Sequence, residues 1–197
     1  MSPRVGLTAE RITTAAAELA DEIGFDKVTL SAVAKRFGVK DPSLYSHVRN
    51  LHDLRVRMAL LASAEMADRI ALGVAGRSGR AALIGFATAY RGYVLEHPGR
   101  YAATQIRMDP AEVADEPAFL RTIELTSALL RGYGLEEPEA TDAVRLLRST
   151  FHGFATLEAA GGFAHSRPTE TSWEHILDAL HGTLEQWRKT KEENTIQ

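Results

Sequence analysis

The sequence of 197 residues contains no cysteine, which excludes disulfides, thiolate catalysis and zinc or iron–sulfur sites built on cysteine. It also lacks a run of about 18 apolar residues that could cross a bilayer, and no apolar stretch typical of a signal peptide follows its first four residues. A close helical pair of metal-ligand type, Asp178 and His181, supplies only two ligands, which are too few for a metal site. We therefore expect a soluble, cytoplasmic protein without a metal, a cofactor or a membrane partner.

Patterns typical of β-strands are missing as well, because apolar residues recur at intervals of three and four nearly everywhere. This periodicity predicts an all-α fold of about nine helices. Thr8 and Thr29 are predicted to cap the first two helices, and Gly24 and Gly38 to end them. A stretch with three glycines, from 73 to 79, marks the predicted domain boundary.

Charge is distributed unevenly along the chain. The formal net charge is −3, yet the first 57 residues carry a small excess of Lys and Arg over Asp and Glu. The remainder is acidic. A basic end on an acidic body is typical of a protein that presents that end to a polyphosphate such as DNA.

Two short predicted helices near the N-terminus are separated by a turn that contains Gly38, the pattern of a helix-turn-helix. The second of them is expected to begin at Asp41-Pro42 and to run to Val48. Ala34, four residues before Gly38, lets the two helices approach closely. The alternative is an ordinary corner between two helices of a protein that does not bind DNA. The exposed positions of the second helix are predicted to be polar or aromatic, namely Lys40, Ser43, Tyr45, Ser46 and His47.

The segment TLSAVAKRFGVKDPSLYSHVRNLHDL, from Thr29 to Leu54, closely resembles the DNA-binding signature of the TetR family of repressors. This resemblance covers about the first quarter of the chain. It implies base contacts from Lys40 and Ser43, and phosphate contacts from other residues of the segment. Leu51 stands where the family often has a lysine, and Arg49 or Asn50 is available to replace that contact. The predicted DNA-binding residues are Thr29, Lys40, Ser43, Tyr45, His47, Arg49 and Asn50.

Two patches of the C-terminal half, YRGYVLEHPGRY at 90–101 and Phe151-His152-Gly153, resemble a subgroup of the same family in which a Trp precedes the His-Gly pair. The resemblance implies a ligand cavity and a dimer interface formed by the last two helices. An aromatic residue at helical spacing more often belongs to a plain core than to a ligand site, and His152 could equally be a packed residue at a helix crossing. The predicted ligand-binding residues are Tyr90, Tyr101, Gln105, Met108, Phe119, Phe151 and His152. The predicted dimer-interface residues are Leu147, Phe154, Leu177, Leu180 and Leu184.

Together these patterns predict a helix-turn-helix DNA-binding domain at 1–50, a connecting helix at 51–72 and a ligand-binding and dimerisation domain at 80–192. The expected protein is a homodimeric transcriptional repressor that binds a palindromic operator in double-stranded DNA and is released by a small molecule. One alternative is a DNA-binding regulator controlled by a protein partner without a small ligand. An all-α enzyme is a weaker alternative, because no catalytic motif is present in the sequence.

Overall fold

The structure is a computed structural model that describes residues 6–109 and 113–195, with side chains described as far as residue 188. This part of the chain contains eight α-helices and no strand, so the predicted all-α fold is confirmed. None of its helices is both long and apolar enough to cross a membrane. The helices are α1 (Ala9–Ile23), α2 (Leu30–Phe37), α3 (Leu51–Val74), α4 (Gly79–Glu96), α5 (Pro98–Ala103), α6 (Pro117–Arg131), α7 (Glu139–Ala159) and α8 (Thr169–Thr195).

The first two helices begin and end as local chemistry predicts. The hydroxyl of Thr8 accepts the backbone N–H of Arg11 at 3.2 Å, and α1 stops at Gly24. The hydroxyl of Thr29 caps α2 in the same way, and α2 ends at Gly38 with φ of 65°. That left-handed conformation strains a residue with a side chain, so glycine is the residue that fits there.

The described chain divides into two compact units. The first unit contains the residues up to Glu65 together with those from His97 to Phe119, and the second contains 66–96 and the residues from Leu120 onward. The first unit therefore includes α5, whereas the domain predicted at 80–192 would place this helix with the C-terminal helices. The domain bounds drawn from the sequence remain a prediction.

In the first unit, α5 packs on the C-terminal end of α1. Gly99 makes this close approach possible, because a Cβ at this position would lie 2.5 Å from the backbone nitrogen of Asp21. The Asp21 carboxylate accepts the backbone N–H of Arg100 at 2.8 Å and pairs with its guanidinium, which also donates to Glu65 on α3 at 3.1 Å. These polar contacts tie α1, α3 and α5 together around an apolar core.

The second unit is centred on aromatic side chains of α4, α7 and α8. The Phe151 ring lies 5.7 Å from the rings of both Tyr90 and Trp173, measured between centroids. Arg91 lies beside this cluster and donates two hydrogen bonds of 2.7 Å to the carboxylate of Glu158. This bond holds the pKa of Glu158 below its usual range, so the pair is ionised at neutral pH.

Candidate nucleic-acid interface

The segment after α2 differs from the predicted α-helix. Asp41–Ser43 form a 3₁₀ helix, and hydrogen-bonded turns follow as far as His47. The backbone N–H groups of Ser43, Leu44 and His47 donate to carbonyls three residues earlier, at 2.9 to 3.0 Å. These tighter bonds fit a segment of about two turns, which is too short to gain much from an α-helical ladder. We call residues 41–48 the recognition segment.

Two apolar residues hold the recognition segment on the first unit. Leu44 and Val48 are almost completely buried in the core formed with α1, α2 and α3. Their burial leaves the polar residues between and before them at the surface. Tyr45 is 56% exposed, Lys40 and Ser43 are also exposed, and His47 is half-buried.

Side-chain contacts connect the recognition segment to the helices on either side. The hydroxyl of Ser31, in the first turn of α2, donates to the carboxylate of Asp41. After the segment, the side chain of Asn50 accepts the backbone N–H of Asp53 at 2.9 Å and so caps α3. The contact between Ser31 and Asp41 brings the N-terminus of α2 to the start of the recognition segment, and α3 begins three residues after its end. Both N-termini carry backbone N–H groups without a helical partner.

Two of the predicted DNA-binding residues already serve as helix caps. Thr29 accepts the N–H of Ala32 at 3.1 Å through its hydroxyl oxygen, and its own hydroxyl proton stays available as a donor. Asn50 uses its carbonyl oxygen as the cap and keeps its amide N–H groups. Both side chains are exposed, so each can cap a helix and still donate to a phosphate.

The structure adds two residues that the sequence analysis did not assign to the interface, Asp53 and Arg57. The carboxylate of Asp53 accepts the backbone N–H of Arg49 at 2.9 Å, the guanidinium of Arg49 at 3.2 Å and that of Arg57 at 3.2 Å. Burial alone would raise the pKa of Asp53, but these donated hydrogen bonds lower it below its usual range. The sequence signal was the spacing of four between acid and arginines on both sides of Asp53.

The predicted ligand-binding residues divide between the two units. Tyr90 and Phe151 are buried and in contact in the second unit, and His152 is half-buried there. The other four belong to the first unit, where Tyr101 is buried, Met108 is half-buried, and Gln105 and Phe119 are exposed.

An open groove in the second unit, of about 670 Å³, runs along the end of α3 and the start of α4. Arg77, Arg80 and Thr88 contribute polar groups to its walls, and α3 and α4 approach closely at Gly73 and Gly85, which also line it. No predicted ligand-binding residue is among those that line this groove.

The five predicted dimer-interface residues are all buried within the single chain. Trp173 and the apolar residues that follow it on α8 pack towards α4 and α7. Burial in one chain leaves these side chains little surface for a second copy. The apolar stripe of α8 is explained by packing within the chain, where Leu177, Leu180 and Leu184 are less than 7% exposed.

The fold and the exposed recognition segment define the class of the protein as a helix-turn-helix DNA-binding regulator. Family models of bacterial regulatory proteins of the tetR family and of the tetracyclin repressor-like C-terminal domain match residues 12–54 and 83–180. The chain is 36% identical over 183 residues to the uncharacterized HTH-type transcriptional regulator YobS of Bacillus subtilis strain 168, which covers 91% of this chain and 90% of that protein. The chain belongs to the TetR family of transcriptional regulators.

Solved structures have the same fold. A variant of TetR from Acinetobacter baumannii AYE, solved in complex with minocycline, has a TM-score of 0.71 at 24% identity, covering 93% of this chain and 99% of that one. BioQ, solved with its double-stranded DNA operator, has a TM-score of 0.63 at 17% identity, covering 89% of this chain and 99% of that one. These structures bear out the fold predicted from the sequence.

Proposed function

We propose that this TetR-family protein is a repressor that binds a palindromic operator as a homodimer and is released by a small molecule. The proposal rests on the exposed polar surface of the recognition segment. Buried Leu44 and Val48 hold this segment in place near the capped N-termini of α2 and α3. A segment fixed in this way presents its side chains to the major groove without a large ordering cost. Among the similar proteins, BioQ was solved with its operator DNA and the TetR variant of Acinetobacter baumannii with minocycline.

Substitutions in the recognition segment are expected to separate phosphate contacts from base contacts. Tyr45→Phe and His47→Ala should weaken binding to every DNA sequence, because a contact to the phosphate backbone carries no sequence information. Ser43→Ala should instead change the preference at one base step in each half-site. Fluorescence anisotropy at several salt concentrations measures both effects. A Tyr45→Phe variant with unchanged affinity at low salt would contradict the phosphate contact.

The dimer is proposed to form through the outward faces of α7 and α8. Each of these faces has positions with short, uncharged residues, namely Ser149 and half-buried Gly153 on α7 and Ala179 and Gly182 on α8, with charged residues beside them. An added Cβ at either of the two glycines would meet no atom within 4 Å. Short side chains allow helices of two copies to approach closely, and a twofold axis matches two recognition segments to half-sites about 34 Å apart.

Ala179→Glu is expected to produce monomers that do not bind the operator, because it places a charge in the proposed interface. Ala179 is exposed in the single chain, so the substitution leaves its fold intact. Analytical ultracentrifugation at micromolar concentration measures the mass, and Ala81→Glu, at an exposed alanine of α4, is the matched control. A dimer of Ala179→Glu as stable as that of the control would place the interface elsewhere.

Release by a ligand requires that the ligand bind better to the form that does not fit the operator. The long helix α3 begins beside the recognition segment and continues from the first unit into the second, so it is the proposed transmitter. A ligand that favours the non-binding form about 100-fold would weaken operator binding by about 2.7 kcal/mol.

The test of release is a titration of the protein–operator complex with a library of aromatic and lipophilic compounds. We expect at least one compound that raises the thermal melting temperature of the protein and dissociates the operator, and we expect Tyr90→Ala and Phe151→Ala to change that response. If every compound that binds leaves operator affinity unchanged, control by a protein partner becomes the better explanation. Specific operator binding by itself would count against the enzyme alternative.

A further inference from the structure

We propose that Asp53 is a positioning residue for DNA binding, which fixes Arg49 beside the recognition segment so that its guanidinium can contact a phosphate. This inference rests on the proposed function, because it assigns Arg49 to the operator contact that a lysine at position 51 often makes in the family. Arg49 directly follows buried Val48, the last residue of the recognition segment.

The geometry around the carboxylate supports this role. The side chain of Asp53 is only 8% exposed, whereas that of Arg49 is 81% exposed although it is bonded to Asp53. Asp53 holds Arg49 at two points, its backbone N–H at 2.9 Å and its terminal guanidinium nitrogen at 3.2 Å. The remaining guanidinium N–H groups of Arg49 belong to a side chain that is mostly exposed, so they are available to an anion in solvent.

Arg57 completes the arrangement from the next turn of α3. Its Nε donates to the second carboxylate oxygen of Asp53 at 3.2 Å, and its side chain is 41% exposed. Because two arginines pair with one carboxylate, the three side chains together have a net charge of +1. The acid therefore orients the cationic surface without reversing its sign, and a long side chain that is already ordered loses less entropy when it binds a phosphate.

The direction in which one substitution changes operator affinity distinguishes this role from a purely electrostatic effect. Asp53→Asn removes a negative charge near the proposed DNA surface, so a purely electrostatic effect would tighten operator binding. If Asp53 positions Arg49, Asp53→Asn should instead weaken operator binding. The expected loss of affinity is on the order of tenfold, because one arginine side chain in each half-site must then be ordered on binding. Asp53→Glu, which keeps the carboxylate, should restore part of the affinity.

The experiment is a double-mutant cycle on the full-length protein, with operator affinity measured for wild type, Asp53→Asn, Arg49→Gln and the double variant at several salt concentrations. We expect Asp53→Asn to have little further effect once Arg49 is replaced, and Arg49→Gln to reduce the salt dependence. Thr8→Ala is the control for loss of stability, since it removes a helix cap of the same unit far from Asp53 in the sequence.

Three results would overturn the inference. The first is tighter operator binding by Asp53→Asn, and the second is a loss of affinity on Asp53→Asn that is the same whether position 49 is Arg or Gln. The third is a loss of operator affinity in Thr8→Ala as large as that in Asp53→Asn. A wild-type protein that binds no specific DNA would instead contradict the proposed function itself. The two failures are therefore distinguishable.

Discussion

Gly99→Ala is expected to lower the free energy of unfolding by about 3 kcal/mol, which is a large effect for one added methyl group. The new Cβ would overlap the backbone carbonyl of Ala20 and lie 2.5 Å from the backbone nitrogen of Asp21. Because both neighbours are backbone atoms, α5 must move away from α1. That movement would also disturb the hydrogen bond from Arg100 to Asp21.

The matched control for this substitution is Gly92→Ala. Gly92 is an exposed residue within α4, and a Cβ added there would meet no atom within 4 Å. Alanine should stabilise the helix at this position by roughly 0.5–1 kcal/mol. Thermal melting of both variants provides the comparison. A Gly99→Ala variant that melts at or above the temperature of the wild type would show that α5 does not pack on α1 as described.

Arg91→Met is expected to cost about 3 kcal/mol of stability, because it leaves the carboxylate of Glu158 charged and largely out of solvent. The side chains of Arg91 and Glu158 are 12% and 14% exposed. Without Arg91, the hydroxyl of Thr169 would be the remaining donor to Glu158, at 2.8 Å. The guanidinium also lies over the rings of Phe154 and Trp173, at 5.7 and 5.5 Å from their centroids, and that contact would be lost.

The dependence of this cost on pH follows from the lowered pKa of Glu158. The hydrogen bond from Arg91 lowers this pKa in the folded protein, so the stabilisation is present above the usual glutamate pKa and is lost as the pH falls through the lowered value. The difference in stability between wild type and Arg91→Met should therefore shrink in acid. Chemical denaturation at neutral and at acidic pH measures it.

Two variants control this prediction. Arg80→Met removes an arginine from the same helix, but Arg80 and its partner Asp178 are both more than half exposed, so the cost should stay below about 1 kcal/mol. Adding Glu158→Gln to Arg91→Met should recover part of the loss, because the unpaired charge is then absent. Equal costs for Arg91→Met and Arg80→Met would mean that the buried pair contributes no more than a surface pair.

Features set by local sequence were predictable. Thr8 and Thr29 cap the first two helices because a short hydroxyl side chain satisfies an otherwise free N–H, and Gly38 ends α2 because it tolerates a positive φ. The same signals indicated a helix-turn-helix, and the resemblance of residues 29–54 to the TetR signature favoured it over an ordinary corner between two helices. The helical type of the recognition segment was not predictable, because a run of about two turns is compatible with both 3₁₀ and α-helical hydrogen bonds.

Features that depend on distant parts of the chain were not predictable. Asp21 and Arg100 are 79 residues apart in sequence, and no local pattern indicates that α5 packs on α1. The leucines of α8 show a related limit of what a sequence pattern can predict. Their spacing predicts an apolar face, but a pattern of this kind does not say whether the face packs against the same chain or a second copy. Leu177, Leu180 and Leu184 are in fact buried within one chain.

The most direct test of the account is selection of operator DNA from a random double-stranded library by the purified protein, followed by affinity measurement at physiological salt. We expect an enriched inverted repeat whose half-site centres lie about one helical turn, or a multiple of it, apart. The wild-type protein should bind this repeat at least about 1,000-fold more tightly than unrelated DNA, and Ser43→Ala should change the selected base at one position of each half-site. Enrichment of no sequence, or of a sequence without twofold symmetry, would contradict the account.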